Sequence, residues 1–256
     1  MLLARADRTM LVSALRERSL DRTLTTALPT VDPLDDQAVG STGMPAMDAR
    51  LGGGLPRGHL SEIVGPRSSG RTSLLIQVIA AATARGELVA LIDALDMLDV
   101  ASLAAAGVDL QRLLWVRGHV VTSPGLCRDL NGRAMEQAVK ALGLVLQAGN
   151  FGLVVFDVGD APHDAVRRLP FTTWLRLQRM IEGSQTIGVL AGHTPISRSS
   201  AGLTITLQPA GVGSDAGRFE GCLFDGLDIE ARVSRARVRA SDAAALPITT
   251  RTACHV

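Results

Sequence analysis

GPRSSGRTS, from Gly65 to Ser73, keeps the frame of a phosphate-binding loop, with Gly65, Gly70 and Thr72 in register. Glycines in that frame let backbone N–H groups point inward at an anion, and the positive end of the following helix adds to the attraction. Ser69 and Ser73 bring hydroxyls to the same stretch. The expected lysine is missing, and Arg71 stands in its place. A lysine puts a compact charge between phosphates, whereas a guanidinium is a longer planar fork that needs in-plane room. Arg71 therefore either draws phosphate in electrostatically or lies across the cradle and blocks it. Lys140 is the only lysine of the chain, so a general drift from lysine to arginine explains the opportunity for the exchange but not its tolerance.

A second carboxylate feature accompanies the loop: FGLVVFD is an apolar run ending in Asp157. At the C-terminal edge of a parallel sheet, where ligands of such sheets bind, Asp157 would hold Mg²⁺ through water while the Thr72 hydroxyl takes another position on the ion. The alternative is a carboxylate that only hydrogen-bonds the turn after its own strand. The candidate nucleotide site is thus Gly65, Ser69, Gly70, Arg71, Thr72, Ser73 and Asp157.

These residues need a sheet to hold them, and the sequence supplies its pattern. HLSEIV leads into the loop, a helix follows to about Arg85, and LVALID reads as a buried strand. A short helix over about 99–106, LLWVR as a strand, a helix from about 133 to 148 and FGLVVFD continue the alternation. FTTWLRLQRMIEG reads as a helix, TIGVLAG as a strand, and TITL and LDIEARVSRARVR as late edge strands. Apolar strands alternating with helices predict an α/β fold with a mainly parallel twisted sheet covered on both faces. Upstream, Met10, Leu11, Ala14 and Leu15 fall at helical spacing and predict an amphipathic helix over about 2–20. Residues 21–58, with four prolines and the run Gly52–Gly54, predict an extended linker, and residues from about 241 a flexible tail. The expected division is an arm over 1–58, a core over 59–240 and a tail over 241–256.

Composition narrows the classes. A formal charge of +1 gives no global bias toward nucleic acid or membrane. Cys127, Cys222 and Cys254 lie at no metal-ligand spacing and form no even disulfide framework, which points to a reducing compartment and no metal site of their own. The first residues, MLLARADRTM, break their apolar run with charges, and no stretch approaches the roughly 20 apolar residues that cross a bilayer. The expectation is a cytoplasmic protein without membrane contact.

The stretch STGMPAMDARLGGGLPRGHLSEIVGPRSSGRTSLLIQVIAAA, continuing through LVALIDALDMLD and AAGVDLQRLLWV, resembles the opening of the RecA recombinase core. The likeness covers about residues 41–117 closely and the sheet to about 207 more loosely. It implies a RecA-like core that handles ATP or ADP with Mg²⁺; the departures at Arg71 and Leu95 imply a degenerate site that does not hydrolyse ATP, with weak nucleotide binding at most. In RecA-like enzymes the strand after the loop helix ends in a glutamate that orients the attacking water, but here the run is Ile92-Asp93-Ala94-Leu95. Leucine can neither accept a proton nor hold a water, and losing a positioned base commonly costs about 10²–10⁴ in rate. Asp96 lies one residue further, which on a strand faces the wrong side unless the backbone bulges. No residue is therefore assigned a catalytic role. His193 stands where recombinases carry a glutamine that senses the terminal phosphate; the plainer reading is a histidine hydrogen-bonded to a neighbouring loop.

Two basic sets are candidates for DNA contact. Arg176 and Arg179, with Arg167 and Arg168, surround a helix carrying Trp174, while Arg235, Arg237 and Arg239 share one face of a late strand; Arg198 lies on the loop between them. Arginines neutralise phosphates without reading sequence. They equally well form a solvated helix face, with Trp174, Leu177 and Ile181 packed inward, or guard a sheet edge against pairing. TLTTALP resembles the tether by which recombinases link protomers, with Leu24 for the aromatic residue and Ala27 for the alanine, which implies a homo-oligomer; packing of the arm on its own core is the other reading.

Among RecA relatives, LVLQAGNFGLVVFDVGDA and RRLPFTTWLRLQRMIEGSQTIGVLAGH resemble the ImuA-type paralogue of bacterial mutagenic translesion synthesis. That resemblance implies an accessory or scaffold protein of the DNA damage response, with an ImuB-like Y-family polymerase homologue, an error-prone C-family replicative polymerase, RecA and DNA as partners. The competing readings are a DNA-dependent ATPase of the RecA family and a regulatory relative unconnected with repair.

Overall fold

The apolar runs that predict strands do become strands, because β-branched and leucine side chains fill both faces of a covered parallel sheet. The computed structural model describes residues 38–121, 128–197, 202–210, 226–236 and 245–251. Eight strands form one sheet: β3 (Leu60–Val64), β4 (Val89–Asp93), β5 (Leu113–Arg117), β6 (Leu153–Asp157), β7 (Ile187–Gly192), β8 (Leu203–Pro209), β9 (Gly226–Ala236) and β10 (Leu246–Arg251). Their order is β10-β9-β8-β3-β7-β6-β4-β5. From β8 to β5 the neighbours are parallel, and β9 and β10 add antiparallel at one edge. The expected α/β architecture with a mainly parallel sheet and antiparallel late strands is therefore observed.

Helices cover both faces. The loop helix α2 (Arg71–Ala84) lies with one core layer, where Leu74, Leu75, Val78 and Ile79 meet Ile63, Val155 and Val189. On the other side, α4 (Arg128–Ala148), which begins earlier than the expected 133, and α6 (Phe171–Ile181) bring Met135, Leu142, Trp174 and Leu177 against Phe156 and Leu190. The Trp174 and Phe156 rings sit 6.3 Å apart, tilted by 47°. Shorter helices α3 (Val100–Ala105) and α5 (His163–Arg167) complete the covering.

Three expectations need correction. Residues 38–58 are not an extended linker: β1 (Val39–Gly40) pairs with β2 (Leu55–Pro56), and α1 (Pro45–Leu51) lies between them. Met47, Leu51 and Leu55 are buried in the same core layer as α2, so the hydrophobic gain outweighs the breaking tendency of Pro45 and Pro56. Pro45 even sits at the first turn of α1, where its missing N–H is harmless. The tail is the second correction, since Leu246–Arg251 forms β10 and pairs with β9 from Leu246 opposite Ala231 to Arg251 opposite Gly226. The third is β5, which lies at the sheet edge and leaves Leu114 44% exposed rather than covered on both faces. Residues 1–37, including the expected N-terminal helix, Leu24 and Ala27, lie outside the described residues, as do Arg198, Arg237 and Arg239. Among the described residues no helix is long and apolar enough to cross a membrane.

Candidate functional site

β3 is a central strand, flanked by β7 and β8, and the chain leaves it at Val64 directly into the loop. Gly65 N–H donates to the carbonyl of Gly192 at the end of β7, which ties the loop's first residue to the sheet. Gly70 closes the loop as the N-cap of α2 with φ of 80°, a left-handed conformation open to glycine. A Cβ there would also strike Ile229 of β9. Strand, loop and helix thus meet as the motif predicts, with the loop at the C-terminal edge of the parallel sheet.

Arg71 is the first residue of α2, and its guanidinium turns back over the loop. Nη1 donates to the carbonyl oxygen of Gly65 at 2.7 Å, and Nη2 donates to Asp160 Oδ1 at 3.0 Å. The side chain is thus bonded on one side to the loop's first carbonyl and on the other to the carboxylate of Asp160. Arg67, also in the loop, donates from Nε to Asp160 Oδ2 at 2.6 Å. Asp160 is partly buried, which works to raise its carboxyl, but the hydrogen bonds from Arg71 and Arg67 outweigh burial and hold it below the usual carboxylate range. Thr72 and Ser73 are exposed, and Ser69 is buried with no hydrogen-bond partner for its hydroxyl among the described residues.

Asp157 ends β6 opposite Asp93 of β4 and Ala191 of β7. Its Oδ1 accepts from Gly159 N–H at 2.7 Å, the turn contact that was the alternative to a metal position. Burial pushes the Asp157 carboxyl up to about 6; the Gly159 N–H opposes this, and the negative charge of Asp93 adds to the rise. Asp93 accepts from the N–H groups of Leu95 at 3.2 Å and Leu98 at 2.9 Å, so its carboxylate organises the turn after β4. That turn delivers Leu95, whose side chain lies over Gly159 so closely that a Cβ on Gly159 would collide with it. Asp96 points elsewhere: both its oxygens are taken by Arg117 of β5, at 2.7 Å each, and the guanidinium of Arg117 lies 4.9 Å from the centre of the Trp115 ring. Those Arg117 hydrogen bonds lower the Asp96 carboxyl, which leaves it a weak base committed to the sheet edge.

The remaining candidates divide. Arg176 and Arg179 are exposed on α6 and have no acidic partner among the described residues, while Trp174, Leu177 and Ile181 of the same helix are buried. Arg168 lies 3.8 Å from Asp129, and Arg235 is exposed on β9 opposite Thr204. His193, after β7, is exposed and makes no side-chain hydrogen bond among the described residues. Sequence reasoning missed Asp160 and Arg67. The available signal was Arg71 itself, because a guanidinium drawn across a loop needs an acceptor, and VGDA places Asp160 three residues beyond Asp157.

A parallel sheet whose central strand runs into GPRSSGRTS and then a helix, with a carboxylate ending a strand two places away, defines a phosphate-loop α/β protein. The family model described as the RecA N-terminal domain matches residues 26–161, and the chain belongs to the RecA family. It is 37% identical over 129 residues to Protein RecA of Streptomyces venezuelae, a segment that is 50% of this chain and 30% of that one. Protein RecA of Clavibacter michiganensis is 40% identical over 121 residues, covering 47% of this chain and 30% of the relative. For Protein RecA of Wolinella succinogenes the figures are 38% over 128 residues, 50% and 32%. The matched segment thus spans about a third of the length of these curated relatives.

Proposed function

We propose that this chain is a RecA-like accessory or scaffold protein of the bacterial DNA damage response, supporting error-prone translesion synthesis as the ImuA-type paralogue does, and that its phosphate loop does not drive ATP hydrolysis. One observation carries the second half. The side chain at the lysine position is bonded to Gly65 and Asp160, across the loop that would receive phosphate. A magnesium nucleotide does not fit these residues as they stand: Arg71 crosses the cradle, Asp157 is engaged by its own turn, and leucine fills the place beside Gly159. The sheet, its helices and the loop backbone are kept, which is what a scaffold needs. Support for the first half is the RecA family membership together with the runs of sequence around Asp157 and α6.

Purified protein given ATP, Mg²⁺ and single-stranded DNA is expected to release no phosphate above background in a coupled assay. Turnover at ordinary ATPase rates would overturn this reading. An ImuB-like homologue and an error-prone C-family polymerase are the proposed partners, and capture of either by the tagged chain supports the scaffold role, while failure with both favours a relative outside repair.

Arg176 and Arg179, exposed and without an acidic partner among the described residues, form the proposed DNA-facing set. Replacing both by glutamate is expected to weaken binding of labelled single-stranded DNA at low salt by about tenfold or more. Two lost phosphate contacts should also flatten the slope of log affinity against log salt by roughly 1–1.5. An unchanged slope would place the DNA elsewhere.

A further inference from the structure

Both arginines of the loop converge on one carboxylate. Asp160 Oδ1 takes Arg71 Nη2 at 3.0 Å and Oδ2 takes Arg67 Nε at 2.6 Å. A carboxylate gripped by two guanidinium groups offers the charge and the paired acceptors that a phosphate would offer the same arginines. The two contacts differ in weight. Arg67 is 73% exposed, so water competes for it, whereas Arg71 is 11% exposed and its contact is shielded. Arg71 is further fixed by Gly65, so its donors point at protein oxygens on both sides. Next to this arrangement, the buried hydroxyl of Ser69 has no hydrogen-bond partner among the described residues, although the loop around it is built for an acceptor.

We propose that Asp160 is a built-in anion that latches the phosphate loop shut, competing with polyphosphate for Arg71, and that removing its carboxylate turns the loop into a polyphosphate site. The inference rests on the reading that the loop does not drive ATP hydrolysis, and it goes further by naming what occupies the arginine. Loss of Asp160 leaves Arg67 and Arg71 without their acid and lets the Arg71 fork swing outward. Helix α2 then presents its N-terminus, the loop N–H groups and two guanidinium groups to one anion.

The test uses the full chain and inorganic tripolyphosphate as the probe, followed by calorimetry at low salt. The parent chain is expected to show no binding up to millimolar probe. Asp160→Ala, and Asp160→Asn as a gentler variant that keeps the side chain's shape, are expected to bind at least about tenfold more tightly than the parent, within the usual range for competing contacts. Adding Arg71→Ala to either should remove the gain. If a variant with the circular dichroism spectrum of the parent binds no better than the parent, or if the gain survives Arg71→Ala, the latch is wrong. ATP turnover by the parent chain overturns the broader reading instead, so the two failures are told apart.

Discussion

Glu87→Ala is expected to destabilise the protein by about 3–5 kcal/mol, the usual result of stripping one partner from a buried ion pair. Glu87 is 1% exposed, and its Oε1 takes Arg57 Nη2 at 2.6 Å and Arg85 Nε at 3.0 Å. Arg57 in turn donates to the carbonyl of Gln185 just before β7, and Arg85 to that of Ser41 just after β1. One carboxylate therefore ties the entry to β3, the end of α2, the entry to β4 and the approaches to β1 and β7, all at the end of the sheet opposite the phosphate loop. Gly152 makes room for it, since a Cβ there would lie 2.6 Å from Glu87 Oε2. Alanine at 87 leaves the 5% exposed Arg57 side chain charged and short of its acid, which water cannot repair. For a domain of this size the loss corresponds to a melting temperature lower by roughly 6–20 °C. Glu87→Gln, which keeps one acceptor, should lie between; a change under about 1 kcal/mol for the alanine variant in urea titration would show that the network is solvated.

Glu87 also shows where sequence reasoning stops. The strands were legible because burial on two faces leaves a continuous apolar run, as in LVALID and LVVFD, and the loop because its glycines sit at fixed spacing. The register of the loop on β3 followed from the same rule. What was not legible depends on side chains meeting across the chain: Arg57 with Glu87, Arg71 with Asp160, and Glu62 with the N–H groups of Ile196 and Ser197, each at 2.7 Å. No period or spacing carries those meetings. The region over 38–58 was misread because its prolines and glycines resemble a linker, while the deciding residues, Met47, Leu51 and Leu55, are too few to show a period. For β10 the reason is similar: LPITTR is short, opens with a proline and gains its conformation from the β9 ladder. At the candidate site, the residue types of Gly65, Gly70, Arg71 and Asp157 were visible, and so were the two orientations open to Arg71. The acceptor that Arg71 finds, Asp160, was not visible.

Asp157→Asn is expected to stabilise the protein at neutral pH, by an amount that disappears in acid. The folded chain holds this carboxyl at about 6, above its ordinary value of 3.8, so the fold favours the protonated form. Between those two values the native state binds more protons than the unfolded chain, and stability falls as pH rises. Below the lower value the carboxyl is neutral in both states and imposes no penalty. Above the upper one it is ionised in both, and the full penalty applies. A shift of that size corresponds to about 3 kcal/mol, reduced to about 2 kcal/mol because the carboxyl retains some access to water. Asparagine keeps the Oδ1 that accepts from Gly159 N–H and removes the repulsion from Asp93. The variant should therefore melt roughly 4–8 °C higher than the parent at pH 7.5, and within about a degree of it at pH 3.5 if both remain folded there. Parallel melts across that range decide the matter. A constant offset at every pH would assign the gain to packing, and a lower melting point at pH 7.5 would mean that the ionised carboxylate is held by a cation, with Asp157 keeping the role its place at the end of β6 first suggested.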